Sequence, residues 1–111
     1  MTVKELAETN KFEIVNLGED ASQKITKPFC CDLLSICMSK TPVGAAWVTV
    51  MGNINTLAVL TLTDAACIIL AENTAFDGPA LEKAKQQGIT VFRTELPVFE
   101  AAFLIKEMLY D

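Results

Sequence analysis

The residues able to carry chemistry in this chain are few. Its strongest nucleophiles are four cysteines, Cys30, Cys31, Cys37 and Cys67, and it has no histidine. Without an imidazole, the Ser-His-Asp and Cys-His arrangements of acyl transfer are excluded, as is any His-ligated metal. Cys30 and Cys31 are adjacent, and neighbours on an extended chain point to opposite faces, so they make poor joint ligands. No C-x-x-C pair occurs and each cysteine lies in or beside an apolar stretch. Packed, reduced thiols are therefore expected, with no metal and no cofactor. Neither G-x-x-x-x-G-K-[ST] nor G-x-G-x-x-G is present, and the glycines stand alone at Gly18, Gly44, Gly52, Gly78 and Gly88. Phosphoryl transfer needs such a cradle together with a metal-holding acid, so kinase activity is not expected.

What remains is a set of polar residues placed just after strand-like runs: Asp32, Gly52, Asn53, Asn55, Glu72, Asn73, Thr94 and Glu95. In a parallel sheet most of them gather along one edge, which is where ligands bind. Gly52-Asn53 opens a helix and offers backbone N–H groups suited to an anion. The competing reading makes all eight ordinary turn and cap residues with local hydrogen bonds. Asp32, Glu72 and Glu95 would be the carboxylates of a small enzyme, but none has a basic neighbour in sequence to make a general acid–base pair.

The elements that position these residues are legible from hydrophobic patterning. Ala45–Met51 and Ala65–Ala71 are short apolar runs that read as strands buried on both faces, and Gly88–Arg93 is a third strand-like run. Helical sequence of ~10–15 residues between them implies βαβ units with right-handed crossovers. Thr56–Thr63 is rich in β-branched residues, yet as a strand it would leave only a tight turn after the preceding one, so helix is expected. Thr2–Asn10 reads as a helix with Thr2 and Glu5 as a capping box. Asp77-Gly78-Pro79 starts another, which Gly88 ends. Asp32 is expected to begin the helix through Lys40, and Thr94-Glu95 to cap the last helix. In that last helix Val98, Ala102, Ile105 and Leu109 recur at helical spacing, flanked by Phe99, Phe103, Leu104 and Met108. So wide a stripe suits both the sheet and a partner subunit. Phe12–Leu17 and Lys24–Cys31 read as extended, joined by a polar turn over Gly18–Gln23, and are expected to pair as an edge hairpin or small flap. The whole is one α/β domain with a small, mostly parallel sheet of four to five strands flanked by helices.

Composition narrows the partners. With 111 residues and 51% hydrophobic content, the chain is large enough to bury a core and too apolar for disorder. A net charge of −5 with scattered Lys and Arg argues against nucleic acid and anionic membrane surfaces. No apolar run approaches the ~20 residues of a membrane span, and no export signal is evident, so a cytoplasmic location is expected.

The order of features resembles the DRTGG domain family over nearly the whole chain. TVKELAE at the start, CDLLS (Cys31–Ser35), AWVTV (Ala46–Val50), ACIIL (Ala66–Leu70) and EKAKQQGITVFRTELPVFEAA (Glu82–Ala102) carry the resemblance. It is similar to small stand-alone members associated with iron-only hydrogenase and redox-signalling genes, and to DRTGG domains of CBS-containing pyrophosphatases and of phosphotransacetylases. The HPr kinase N-terminal domain is similar in fold. The resemblance implies a non-catalytic regulatory or ligand-sensing domain acting as a homodimer, with a small metabolite or adenine nucleotide as ligand and a link to hydrogenase or redox regulation. A protein-interaction subunit with a protein partner and no small ligand is the alternative. Where the family has Gly-Asp-Arg the chain has Gly52-Asn53-Ile54, and where it has Thr-Gly-Gly the chain has Ala71-Glu72-Asn73, so only Gly52 is kept.

Overall fold

The computed structural model describes residues 1–19 and 21–110. Along the chain run α1 (Val3–Glu8), β1 (Glu13–Asn16), β2 (Pro28–Cys30), α2 (Leu34–Lys40), β3 (Ala46–Thr49), α3 (Ile54–Thr63), β4 (Cys67–Leu70), α4 (Gly78–Gln87), β5 (Val91–Arg93) and α5 (Val98–Tyr110). The strands form one five-stranded sheet in the order β1-β5-β4-β3-β2. β2 to β5 are parallel and β1 runs antiparallel on β5.

Strand alternation sorts the apolar residues onto two faces. Phe29, Trp47, Ile68 and Val91 lie in register across the sheet and pack with Cys37 of α2, Leu57 and Leu60 of α3, and Ala80 and Ala84 of α4. Val48, Ile69 and Phe92 form the opposite row, packed under Val3 and Leu6 of α1 and Ala101 and Ile105 of α5. Every residue of β3 and β4 is buried, which is why these runs read as continuous apolar stretches. Trp47 is fully enclosed, and its indole N–H donates to the Cys31 carbonyl at 3.0 Å, so its one polar atom is satisfied.

The helix ends follow local chemistry. Thr2 and Glu5 form the capping box, with Glu5 N–H donating to Thr2 Oγ1 at 3.1 Å and Thr2 N–H to Glu5 Oε1 at 2.9 Å. Those bonds to its charged form hold the Glu5 carboxyl below its ordinary range. Asp77 accepts from Ala80 N–H at the start of α4, and Gly88 ends that helix at φ 68°, a left-handed conformation that suits glycine. The β-branched stretch Thr56–Thr63 is helical, and Thr61 and Thr63 donate their hydroxyls to carbonyls four residues back, Leu57 and Val59.

Three local expectations are corrected. The two early strands do not pair as a hairpin or flap, because β1 and β2 occupy opposite edges of the sheet. The edges are separated by four strand spacings, ~19 Å, well within reach of the segment from Leu17 to Lys27. That segment is tied to the start of α1, where Val3 N–H donates to Gln23, Lys4 N–H to Ala21, and Ile25 N–H to Met1. Asp20, within the expected Gly18–Gln23 turn, lies outside the described residues. The helix after β2 is capped by Leu33, with no side-chain bond, and Asp32 turns away from it. Thr94 and Glu95 stand ahead of α5, where Thr94 Oγ1 accepts from Leu96 N–H at 3.2 Å in a turn, and the helix starts at Val98.

Candidate functional site

The parallel strands bring the expected polar residues to one edge, as their C-terminal ends require, but not into one site. At the β2/β3 end several groups bond locally, although Asp32 itself is exposed. The Asp32 carboxylate accepts from the buried Thr49 hydroxyl at 2.6 Å and from Val50 N–H at 2.9 Å, both through Oδ1. Thr49 Oγ1 in turn accepts from Met51 N–H at 3.2 Å. Asn53 is the N-cap of α3, its side chain accepting from Asn55 N–H at 3.0 Å, and Asn55 is exposed on the first turn. Gly52 lies against the Thr74–Ala75 backbone so closely that an added Cβ would stand 2.3 Å from the Ala75 carbonyl oxygen. The loop after β4 therefore packs directly against Gly52, while Asp32 and Asn55 remain exposed.

The β4/β5/β1 end is open. Here the connection after β4 leads to α4 on one face, while the connection after β5 leads to α5 on the other. Where the segments after two adjacent parallel strands part to opposite faces, a crevice opens outside the carboxyl ends of the strands, which is where α/β sheets bind ligands. A cleft of about 740 Å³ occupies it. Lys11 and Glu13 line it from the β1 side, Asn73 from the loop after β4, and Arg93, Thr94, Glu95 and Leu96 from β5 and beyond. Of the eight sequence-derived residues, Asn73, Thr94 and Glu95 line this cleft and Glu72 is the neighbour of Asn73.

The floor of the cleft is fixed by backbone. Glu72 and Asn73 both adopt left-handed conformations, at φ 57° and 52°. Asparagine tolerates this conformation, whereas for glutamate it costs roughly 1–2 kcal/mol. The pair is held by Glu72 N–H donating to the Leu96 carbonyl at 2.9 Å and Asn73 N–H to the Thr94 carbonyl at 2.7 Å. Thr94 N–H donates to Leu70, continuing the β4–β5 ladder into the loop. Strain held by surrounding bonds is characteristic of functional loops.

The electrostatics centre on Arg93, the sole arginine of the sequence. Its Nε–H donates to Glu13 Oε2 at 2.7 Å, joining the antiparallel β1–β5 pair at the lip of the cleft. The guanidinium holds the Glu13 carboxyl below its ordinary 4.5, first by the hydrogen bond and then by its charge. Lys11, Glu13 and Arg93 were not among the residues singled out from the sequence. Glu13 and Arg93 are 80 positions apart, and only the β1–β5 pairing unites them. A single arginine at a strand end was the one sequence signal that could have found them.

The cysteines sit apart from the cleft. Cys67 is buried in β4, and desolvation pushes its thiol up to about 12. Cys37 is likewise buried, and desolvation raises it first, with the neighbouring Cys31 thiol adding to the shift. Cys30 is exposed, and partial burial with Asp32 nearby raises it too. A second feature lies at the β2 edge of the molecule. There Phe99 and Phe103 of α5 stack in solvent with ring centroids 5.9 Å apart, 71% and 50% exposed. They border a hollow of about 390 Å³ with Pro28, Cys30, Ala102 and Lys106. Among the described residues no helix is long and apolar enough to cross a membrane.

Among solved structures, the chain is similar to the crystal structure of the CBS and DRTGG domains of the regulatory region of Clostridium perfringens pyrophosphatase, complexed with its activator diadenosine tetraphosphate. The TM-score is 0.73 at 19% identity, over 94% of this chain and 45% of that one, so this chain spans less than half the length of that region. No protein-family model and no curated protein matches the sequence. At this identity the likeness carries the fold: a DRTGG-like α/β domain whose five-stranded sheet is parallel apart from one antiparallel pair.

Proposed function

We propose that this is a non-catalytic regulatory domain that senses a small metabolite in the cleft at the β4/β5/β1 end of the sheet. The observation that carries the reading is the contrast along one edge. At the β2/β3 end one Asp32 oxygen is taken up by Thr49 and Val50 and the loop after β4 packs on Gly52, while at the β4/β5/β1 end a strained, backbone-pinned floor faces an open cleft lined by charged side chains. The side chains present suit binding, and the sequence holds no histidine. Adenine nucleotides belong among the ligands to test, because the region of similar fold is described with a diadenosine tetraphosphate activator.

We further propose that the domain works as a homodimer, for which the exposed Phe99–Phe103 stack beside the β2 edge is the supporting feature. Exposed aromatic pairs are enriched where partners dock. The same feature supports the second reading, a protein-interaction subunit without a small ligand. The link to hydrogenase or redox regulation, and a cytoplasmic setting, rest on the sequence resemblance and composition alone.

A thermal-shift panel of adenine mono- and dinucleotides and small metabolites, run beside a mass measurement in solution, tests both parts. A ligand at about 100 times its Kd stabilises by about 2.7 kcal/mol, a shift of many degrees for a domain this size. Such a shift, lost on changing Arg93, supports the sensor. Silence across the panel, with Phe99→Ala abolishing capture of a partner protein, supports the interaction subunit. A monomer at high concentration contradicts the dimer.

A further inference from the structure

Resting on that reading, the geometry points to a ligand class: we infer that the cleft takes a small zwitterion, a free α-amino acid or short peptide, its carboxylate on Arg93 and its ammonium on Glu95.

Arginine carries five N–H donors in a planar fork, and in Arg93 the bond to Glu13 uses Nε–H. Its two terminal NH2 groups have no partner among the described residues. Glu13 therefore fixes the plane of the guanidinium and leaves free the end that binds a carboxylate through two parallel bonds. Glu13 is the positioning residue and Arg93 the contact. Glu95, on the same wall of the cleft, is exposed and forms no ion pair among the described residues, so its carboxylate is open to an ammonium. Thr94 and Asn73 add polar side chains between the two loops, and Leu96 offers an apolar surface to the rest of the ligand.

Charge balance decides against a polyphosphate. The four charged side chains lining the cleft, Lys11 and Arg93 against Glu13 and Glu95, cancel. They lie in a protein with a net charge of −5. A chain of phosphates placed on Arg93 would meet two carboxylates in the same cleft, with Lys11 as the one further cation. No aromatic ring lines the cleft, so an adenine base would find nothing to stack on. A zwitterion meets one partner for each of its charges. The volume of about 740 Å³ leaves space beyond an amino acid's head group for a side chain or a second residue.

The test is calorimetric titration of the intact chain with each of the twenty L-amino acids and a set of glycyl dipeptides, with AMP and diadenosine tetraphosphate in parallel. For any hit, the N-acetylated and the amidated forms each remove one charge, and both are expected to lose binding. Arg93→Gln and Glu95→Gln are each expected to weaken the hit about tenfold or more, as loss of a charged hydrogen bond does. Glu13→Ala is expected to weaken it several-fold and Glu13→Gln to restore it, because a glutamine oxygen still accepts from Nε–H. Amino acids active and dipeptides silent, or the reverse, identifies which zwitterion is taken. Nucleotide binding that Arg93→Gln removes, with every zwitterion silent, overturns the ligand class while leaving the sensor reading standing. Silence from both sets overturns both.

Discussion

The two ends of one sheet edge make opposite use of the same raw material. Both lie at the C-terminal ends of parallel strands, and both carry acidic and amide residues in short loops. At the β2/β3 end, Asp32 accepts from Thr49 and from Val50 N–H, Asn53 accepts from Asn55 N–H, and Gly52 lets the next loop pack directly on top. At the β4/β5/β1 end, the backbone holds the loops together through the Glu72 and Asn73 amides, and this leaves the side chains of Asn73, Arg93, Thr94 and Glu95 to face a cleft. The difference comes from topology. The segments after β2, β3 and β4 all turn to one face, while the segment after β5 crosses to the other, and the cleft lies where they part.

If the contrast is correct, substitutions at the β2/β3 end cost stability and those at the β4/β5/β1 end cost ligand. The largest effect is expected from Gly52→Ala, where the new Cβ meets backbone at 2.3 Å. Displacing that loop should cost about 3 kcal/mol, read as a lower midpoint in urea unfolding. Asp32→Ala leaves the buried Thr49 hydroxyl without its acceptor and should cost about 2 kcal/mol. Asp32→Asn keeps an oxygen and should recover most of it; unchanged binding in that variant would place Asp32 outside the site. Asn53→Ala removes a helix cap, worth about 1 kcal/mol. Arg93→Gln breaks an exposed ion pair and should change stability by less than about 1 kcal/mol, while removing ligand binding. A large loss of stability there would make Arg93 structural and erase the contrast. The acid limb of the stability profile sharpens the same point. The Glu13 carboxyl is held below 4.5 by Arg93. Its contribution is therefore present above the ordinary carboxylate range and lost as pH falls through the lowered value. Glu13→Gln should flatten that limb.

Much of this was legible in sequence wherever local pattern decides. Val48, Ile69 and Phe92 are enclosed as continuous apolar runs require, Thr2 and Glu5 cap α1, and the helical reading of Thr56–Thr63 holds. What local pattern does not carry is long-range pairing. Two extended segments separated by a polar turn look the same whether they form a hairpin or part to opposite edges, as β1 and β2 do. The cleft depends on that distinction, since β1 on β5 is what brings Lys11 and Glu13 to Arg93. Asp32 shows a further reason. An acidic residue ahead of a helix suggests a cap, yet the buried Thr49 hydroxyl two strand positions past Trp47 is the stronger claimant on its carboxylate.

The most direct measurement is a two-dimensional amide NMR spectrum of the labelled chain, titrated with whichever L-amino acid, dipeptide or adenine nucleotide gives the largest thermal shift. Shifts concentrated at Lys11–Glu13, Glu72–Asn73 and Arg93–Leu96, with Val50–Asn55 unmoved, are the result expected for a sensor at the β4/β5/β1 end. Shifts centred on Asp32 and Val50–Asn55 instead, with the Arg93 loop silent, would contradict it.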